Sequence, residues 1–106
     1  MGIYIINSKK VKEMLQKEEF ELIIDLREKE HYDKGHLKNA INIPINHITD
    51  NLDYLNEYKN AKILLYCGIG SQSKSTAKVL VLNGYEQVYS LANGIKSYNY
   101  ELVTSE

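Results

Sequence analysis

The chain of 106 residues has one cysteine, one proline, one arginine and no tryptophan. One cysteine cannot form a disulfide within the chain, so Cys67 is a buried filler, a free reactive thiol or the partner of a cysteine in another molecule. No hydrophobic run approaches the roughly 18 residues of a membrane-spanning helix. The first ten residues also lack the charged, apolar and small-residue regions of a secretory signal. These absences predict a cytoplasmic protein without a membrane partner.

No charge of one sign dominates the chain, which has 13 basic and 14 acidic residues and a net charge of −1. The charges are scattered along the sequence, which argues against a surface for nucleic acid or another polyanion. Candidate metal ligands share no spacing that is typical of a metal site; they are His31, His36, His47 and Cys67. The sequence therefore predicts neither nucleic acid nor a metal ion as a partner.

Five stretches of the chain have the pattern of a β-strand. Four are at 3–6, 21–25, 62–66 and 87–91, and a brief extended segment lies within 36–44. Pro44 closes that segment and excludes a central strand at this point. The runs at 22–24 and 62–66 are continuously apolar, which is typical of strands that are covered on both faces in a parallel sheet.

Helical patterns separate these strands. Helices are predicted after the N-cap pair Asn7-Ser8, at 28–34 before Gly35, through 48–58, from the Gly-containing turn after Cys67 to about 83 before Gly84, and through 95–102. Alternation of strand and helix predicts βαβ units with right-handed crossovers. Because 106 residues suffice for one layered core, we predict a single α/β domain over residues 1–106. Its mostly parallel central sheet has about five strands, with helices on both faces.

The stretch 62–77, KILLYCGIGSQSKSTA, carries the strongest functional signal. Cys67 ends a buried strand and precedes a helix, and sites in parallel sheets form at such carboxyl ends. The first N–H groups of a helix have no partner within it and favour anions. Gly68 and Gly70 let nearby N–H groups turn inward as an anion-binding nest. Since such a nest favours the nucleophilic thiolate, we interpret Cys67 as a nucleophile rather than a buried filler.

Three stretches of the chain resemble the rhodanese-like domains. Residues 24–44 resemble the family's D-x-R motif followed by E-[FY]-x-x-G-H-[IL]-x-G-A-x-N-I-P. Residues 66–73, YCGIGSQS, resemble its active loop, Y-C-x-x-G-x-R-S, and residues 88–98 resemble its closing V-x-x-L-x-G-G-[IM]-x-x-W. Together the three stretches cover nearly the full domain.

This resemblance implies a sulfurtransferase in which Cys67 accepts a sulfane sulfur, becomes a persulfide and passes the sulfur to a thiol or another nucleophile. The implied donors are protein or small-molecule persulfides, with thiosulfate as a further candidate, and no cofactor is required. Inward N–H groups of the loop would hold the anionic terminal sulfur. The implied substrate-binding residues are Gly68, Ile69, Gly70, Ser71, Gln72 and Ser73.

The active loop departs from the family pattern at two positions. Many active members carry arginines one and five positions after the cysteine, where this chain has Gly68 and Gln72. Arginine forks bind a sulfonate bidentately, and Lys74 is the only nearby cation in the sequence. We therefore expect low thiosulfate activity. Phosphatase relatives of this fold need C-x5-R, and Ser73 at that sixth position argues against phosphate-ester hydrolysis.

Three further residues within the family signature are interpreted as structural residues near the site. Asp25 and Arg27 lie at the carboxyl end of the second strand. They could guide the substrate, but we favour an ion pair that holds the strand end to the next turn. A lone arginine suits such bidentate pairing. His36 is interpreted as a hydrogen-bonded structural histidine rather than a catalytic base.

Two other classes of function remain open. A rhodanese-fold binding or regulatory module with weak or no catalysis would keep the loop without its arginines. A redox or arsenate-type thiol enzyme would need a resolving thiol from another molecule, since the chain has no second cysteine. The reactivity of Cys67 distinguishes the binding module from the sulfurtransferase.

Overall fold

A central sheet of five parallel strands organises the computed structural model, which describes residues 2–105. The spatial order of the strands is β1-β5-β4-β2-β3, so β4 lies in the middle and β3 at an edge. This architecture confirms the predicted α/β fold. The strands are β1 (Gly2–Ile6), β2 (Leu22–Asp25), β3 (Ile41–Asn42), β4 (Lys62–Tyr66) and β5 (Gln87–Leu91).

Helices cover both faces of the sheet and enclose two apolar cores. They are α1 (Ser8–Gln16), α2 (Lys29–Lys34), α3 (Leu52–Leu55) and α4 (Ser71–Leu82). Leu55 of α3 and Leu80 of α4 pack with one set of strand side chains, including Ile63 and Leu65. Val11 of α1 packs on the other face with Leu64 and its neighbours. Side chains of β4 are therefore buried on both faces, as its continuous apolar run predicts.

The register of β2 and β4 positions the site. Asp25 lies opposite Tyr66, so both strands end at the same level. The Leu26 amide donates to the Tyr66 carbonyl over 2.9 Å and continues the pairing by one residue. The chain segments that leave β2 and β4, which carry Arg27 and Cys67, therefore emerge side by side at the carboxyl edge of the sheet.

The structure differs from the prediction in two helical regions. The single helix predicted through 48–58 is divided into α3 and short 3₁₀ turns at Thr49–Asn51 and Asn56–Tyr58, and a further 3₁₀ turn precedes them at Ile45–His47. The closing helix predicted through 95–102 is wrong: a 3₁₀ turn covers Ile95–Ser97, and Tyr98 is already extended. The amides of His36 and Val103 each donate to the other's carbonyl, at 2.8 and 2.9 Å. That bridge replaces helical hydrogen bonds at the end of the chain.

One prediction reaches both ends of the chain. Residues 1 and 106, which bound the predicted domain, lie outside the described residues, so the single domain over 1–106 stays a prediction. Every helix within residues 2–105 is too short or too polar to span a membrane.

Candidate active site

Cys67 directly follows β4, and the loop from Gly68 to Gly70 joins it to the first turn of α4. Gly70 is the N-cap of α4 and has a left-handed backbone, with φ of 102°. A Cβ at Gly70 would lie 2.9 Å from the backbone nitrogen of Asn93. Both the dihedral angle and the close approach therefore require glycine at this position.

Two backbone N–H groups converge on the sulfur. The Gly70 amide donates to Cys67 Sγ over 3.1 Å and the Ser73 amide over 3.4 Å. Of the predicted cradle residues, 68–73, these two bond to the sulfur. Because these donors stand at the N-terminus of the 12-residue α4, they favour a negative charge on the sulfur.

A pair of buried hydroxyls lies behind the sulfur, and sequence reasoning missed one of them. Ser73 Oγ lies 3.7 Å from Cys67 Sγ and 2.7 Å from Ser90 Oγ. Ser73 is fully buried and Ser90 is 1% exposed. Ser90 belongs to β5, and only the pairing of β5 with β4 brings it to the cysteine, so no local sequence motif could reveal it.

The turn after β5 clamps the cysteine loop. The Ile95 amide donates to the Cys67 carbonyl over 2.9 Å, and the Lys96 amide donates to the Gly68 carbonyl over 3.1 Å. Gly94 packs so closely on the loop that a Cβ there would overlap the Gly68 carbonyl. The loop is therefore held from its outer side by Gly94 to Lys96 and from its inner side by α4.

Asp25 and Arg27 form a bidentate ion pair beside this loop. Arg27 Nη2 lies 2.8 Å from Asp25 Oδ2, and Arg27 Nε lies 3.1 Å from Oδ1. Arg27 Nη2 also donates to the Gly35 carbonyl over 2.6 Å. Burial opposes the charge on Arg27, but the Asp25 carboxylate outweighs it and raises the arginine pKa. The pair thus ties the end of β2 to the turn after α2.

His36 is held by backbone and aromatic contacts. Its Nδ1 lies 2.7 Å from the Tyr32 carbonyl, and its ring stacks on the Tyr32 ring with centroids 3.8 Å apart. These contacts fit the structural role predicted for His36.

An open cleft of about 320 Å³ adjoins the cysteine loop. Cys67 itself is only 1% exposed, whereas Gly68 and Gln72 line the cleft. The cleft is also lined by Leu26, Arg27, Ile95 and Lys96.

The expectation that Lys74 is the only cation near the loop is wrong, because Lys96 also lies beside the loop. It lies 29 positions after Cys67 in the sequence, and only the clamp between the β5 turn and the loop brings it to the cleft. Among residues 2–105, no group of three or more His, Cys, Asp or Glu side chains could hold a metal ion.

Comparison with known proteins places this geometry in a family. The family model of the rhodanese-like domain matches residues 7–101. The crystal structure of a rhodanese-like domain protein from Staphylococcus aureus is 27% identical, with a TM-score of 0.84; the match covers 97% of this chain and 99% of that one.

Curated relatives match the same region at higher identity. A tRNA uridine(34) hydroxylase of Buchnera aphidicola (subsp. Baizongia pistaciae) is 32% identical over 92% of this chain and 32% of its own length. The tRNA uridine(34) hydroxylase of the Aster yellows witches'-broom phytoplasma is 37% identical over 73% of this chain and 26% of its own length. The chain thus spans about a third or less of the curated relatives it matches.

Proposed function

The chain belongs to the rhodanese-like domain family, and we propose that it is a sulfurtransferase or persulfide carrier with Cys67 as the nucleophile. The observation that carries this proposal is the convergence of the Gly70 and Ser73 amides on Cys67 Sγ. Those two donors stabilise an anionic sulfur without a cofactor. They would stabilise the Cys67 thiolate before the reaction and the Cys67 persulfide after it.

The proposed reaction consists of two sulfur transfers. In the first, the Cys67 thiolate attacks the outer sulfur of a donor R–S–S⁻, the new S–S bond forms on Cys67, and R–S⁻ leaves and takes up a proton. In the second, an acceptor thiolate attacks the terminal sulfur of the Cys67 persulfide and restores the Cys67 thiolate. Each step exchanges one S–S bond for another, so no external oxidant or reductant is consumed.

The loop side chains favour persulfide donors over thiosulfate. Gly68 and Gln72 stand where many relatives have arginine, so this loop offers no fork for a sulfonate. Because the thiol is buried, we expect the donor to approach through the cleft that these two residues line. A thiol of a protein or a small molecule is the expected acceptor.

The test of this proposal is sulfur transfer from a persulfide donor to an acceptor thiol by the wild-type chain and by Cys67→Ser. We expect transfer by the wild type and none above background by the variant. A second variant that combines Cys67→Ser with Ser75→Cys places a thiol on the exposed side of α4, away from the two amides. If that variant or Cys67→Ser alone transfers sulfur as fast as the wild type, the proposal is wrong.

A second candidate function follows from the names of the curated relatives, tRNA uridine(34) hydroxylase. Under this candidate the chain takes part in the hydroxylation of uridine 34 in tRNA. The scattered charges and net charge of −1 argue against tRNA binding by this chain alone.

Nucleoside mass spectrometry tests the hydroxylase candidate. The tRNA would come from a bacterial strain that lacks its own tRNA uridine(34) hydroxylase and expresses this chain or Cys67→Ser. Return of hydroxylated uridine with the wild-type chain would support the second candidate. If neither protein restores the modification, while sulfur transfer proceeds in vitro, the first proposal is favoured.

The binding or regulatory module remains the alternative without catalysis. A module of this kind needs no activated thiol. If Cys67 alkylates at neutral pH no faster than an unperturbed thiol with a pKa of about 8.5, and the chain transfers no sulfur, that alternative is favoured.

A further inference from the structure

We propose that Lys96 selects the sulfur donor, and that the donor is a low-molecular-weight persulfide bearing a carboxylate. This inference rests on the proposed function and deepens it by naming the donor class. The position of Lys96 carries the argument. Its backbone amide is fixed to the Gly68 carbonyl at 3.1 Å, and its Cε lies 4.0 Å from where a Cβ on Gly68 would be.

The Lys96 side chain thus lies against the face of Gly68 from which a side chain of residue 68 would project. The turn after β5 docks on the cysteine loop and so supplies a cation beside residue 68. A Cβ added at Gly68 would reach only ordinary van der Waals contact with the stem of Lys96. The lysine stem therefore lies beside residue 68 without crowding it.

The other charges of the cleft leave Lys96 as the cation available to a ligand. The Arg27 guanidinium is bound to Asp25 and to the Gly35 carbonyl, and its side chain is only 17% exposed. Glu28 and His31 also line the cleft, and Glu28 adds a negative charge there. Lys96 takes part in none of the ion pairs within residues 2–105.

The chemistry of the cleft favours a small organic anion over thiosulfate. The Lys96 ammonium is a compact point charge that can pair with the single charge of a carboxylate. Leu26, Ile45 and Ile95 line the rest of the cleft and suit the carbon skeleton of an organic thiol. The volume of about 320 Å³ is at the lower end of small-molecule sites. A small carboxylated persulfide fits the charge of Lys96, the apolar lining and the volume of the cleft.

The test compares two persulfide donors of similar size, one with a free carboxylate and one with that carboxylate converted to a neutral amide. Rates of sulfur loading on Cys67 are measured by quenched-flow mass spectrometry for wild type, Lys96→Gln, Lys96→Arg and Lys74→Gln. Lys74→Gln removes the same charge from exposed α4 and serves as the matched control. Circular dichroism checks that every variant is folded.

We expect the wild type to prefer the carboxylated donor and Lys96→Gln to lose about three- to tenfold in loading efficiency with that donor alone. The loss should be a higher donor concentration for half-maximal loading at an unchanged maximal loading rate, and Lys96→Arg should keep the preference. Equal preference in Lys96→Gln and wild type, or loss of preference in Lys74→Gln, overturns the inference. Loading by the amide donor shows that the proposed function holds in either case. If no donor loads the wild type, the proposed function and this inference both fail.

Discussion

At the scale of single residues, the environment of Cys67 depends on side chains that are far apart in the sequence. The Ser73 hydroxyl lies between Cys67 Sγ and Ser90 Oγ. A hydroxyl has one proton to donate and two lone pairs. In the structure the Ser73 hydroxyl donates to the Gly70 carbonyl over 3.2 Å. When sulfur is a thiolate, we expect Ser73 to turn its proton to the sulfur while Ser90 donates to Ser73. Ser90 is then a positioning residue for the Ser73 hydroxyl.

Replacing Ser90 with alanine tests this arrangement. We expect Ser90→Ala to slow sulfur loading on Cys67 and to lower the free energy of unfolding by about 0.5–1.5 kcal/mol, because the buried Ser73 hydroxyl loses one hydrogen bond and keeps the one to the Gly70 carbonyl. Loading kinetics and urea denaturation measure the two effects. Ser75→Ala, at an exposed serine of α4, is the control and should leave both unchanged. Loading at the wild-type rate across pH 6 to 10 in Ser90→Ala would rule out a positioning role.

The missing arginine fork gives a second prediction for a single residue. Gln72→Arg places a guanidinium at the cleft, where it could bind the sulfonate of thiosulfate. We expect thiosulfate-dependent activity to rise by up to the equivalent of about 1.5–3 kcal/mol in kcat/KM. Gln16→Arg adds the same charge on exposed α1 and should have no effect. If activity with thiosulfate is unchanged in Gln72→Arg, the loop side chains do not determine the donor.

At the scale of secondary-structure elements, the ion pair of Asp25 and Arg27 joins β2 to the turn after α2. Asp25 is fully buried, and its carboxylate depends on the Arg27 guanidinium for compensation of its charge. The lone arginine of the sequence already suggested such a pair. The third contact, to the Gly35 carbonyl, could not be foreseen because it depends on how the turn after α2 folds back.

Removing Arg27 should therefore be costly. We expect Arg27→Ala to lower the free energy of unfolding by about 3–5 kcal/mol, as is typical when a buried charge loses its partner. Chemical denaturation provides the measurement. Lys62→Ala, which breaks the more exposed pair with Glu19, is the control and should cost at most about 1 kcal/mol. Equal effects of the two substitutions would show that the buried pair has no special role.

The elements themselves were predicted with uneven success, for physical reasons. The bounds of β4 and β5 match the predicted strands, and the apolar run of β4 is typical of a buried parallel strand. The closing helix through 95–102 failed although its apolar spacing was correct. Tyr98 does reach a core, but from an extended segment whose end pairs with His36. Apolar spacing alone could not reveal that long-range bridge.

At the scale of the whole molecule, the site is a product of topology. Strand order brings β4 between β2 and β5, so residues from three distant segments surround one cysteine. The motif around Cys67 predicted inward N–H groups, and the Gly70 and Ser73 amides do donate to the sulfur. It could not predict Ser90 or Lys96, since those depend on which strand neighbours β4 and on how the turn after β5 docks.

Alkaline stability is a property of the whole fold to which the buried Tyr66 contributes. Burial, followed by the nearby Asp25 carboxylate, raises the pKa of Tyr66 well above its usual value of about 10. The unfolded chain then loses this proton at lower pH than the folded chain. Tyr66 thus contributes stability that is complete below about pH 10 and declines above it, by up to about 1.4 kcal/mol per pH unit.

Denaturation between pH 8 and pH 12 tests this expectation. We expect the decline in the free energy of unfolding with pH to be shallower in Tyr66→Phe than in the wild type. The slopes are compared rather than the absolute values, because the variant also loses the hydrogen bond from the Leu37 amide to the phenol oxygen. Identical slopes would show that Tyr66 does not control alkaline unfolding.

The mass of the peptide containing Cys67 shows whether this residue carries sulfur. The chain is exposed to a small-molecule persulfide, freed of excess donor, digested under non-reducing conditions and analysed before and after addition of an acceptor thiol. We expect this peptide to gain the mass of one sulfur atom and to return to its original mass as the acceptor gains that sulfur. A Cys67 peptide that never gains sulfur, or gains it and cannot pass it on, would show that Cys67 is not a sulfur carrier.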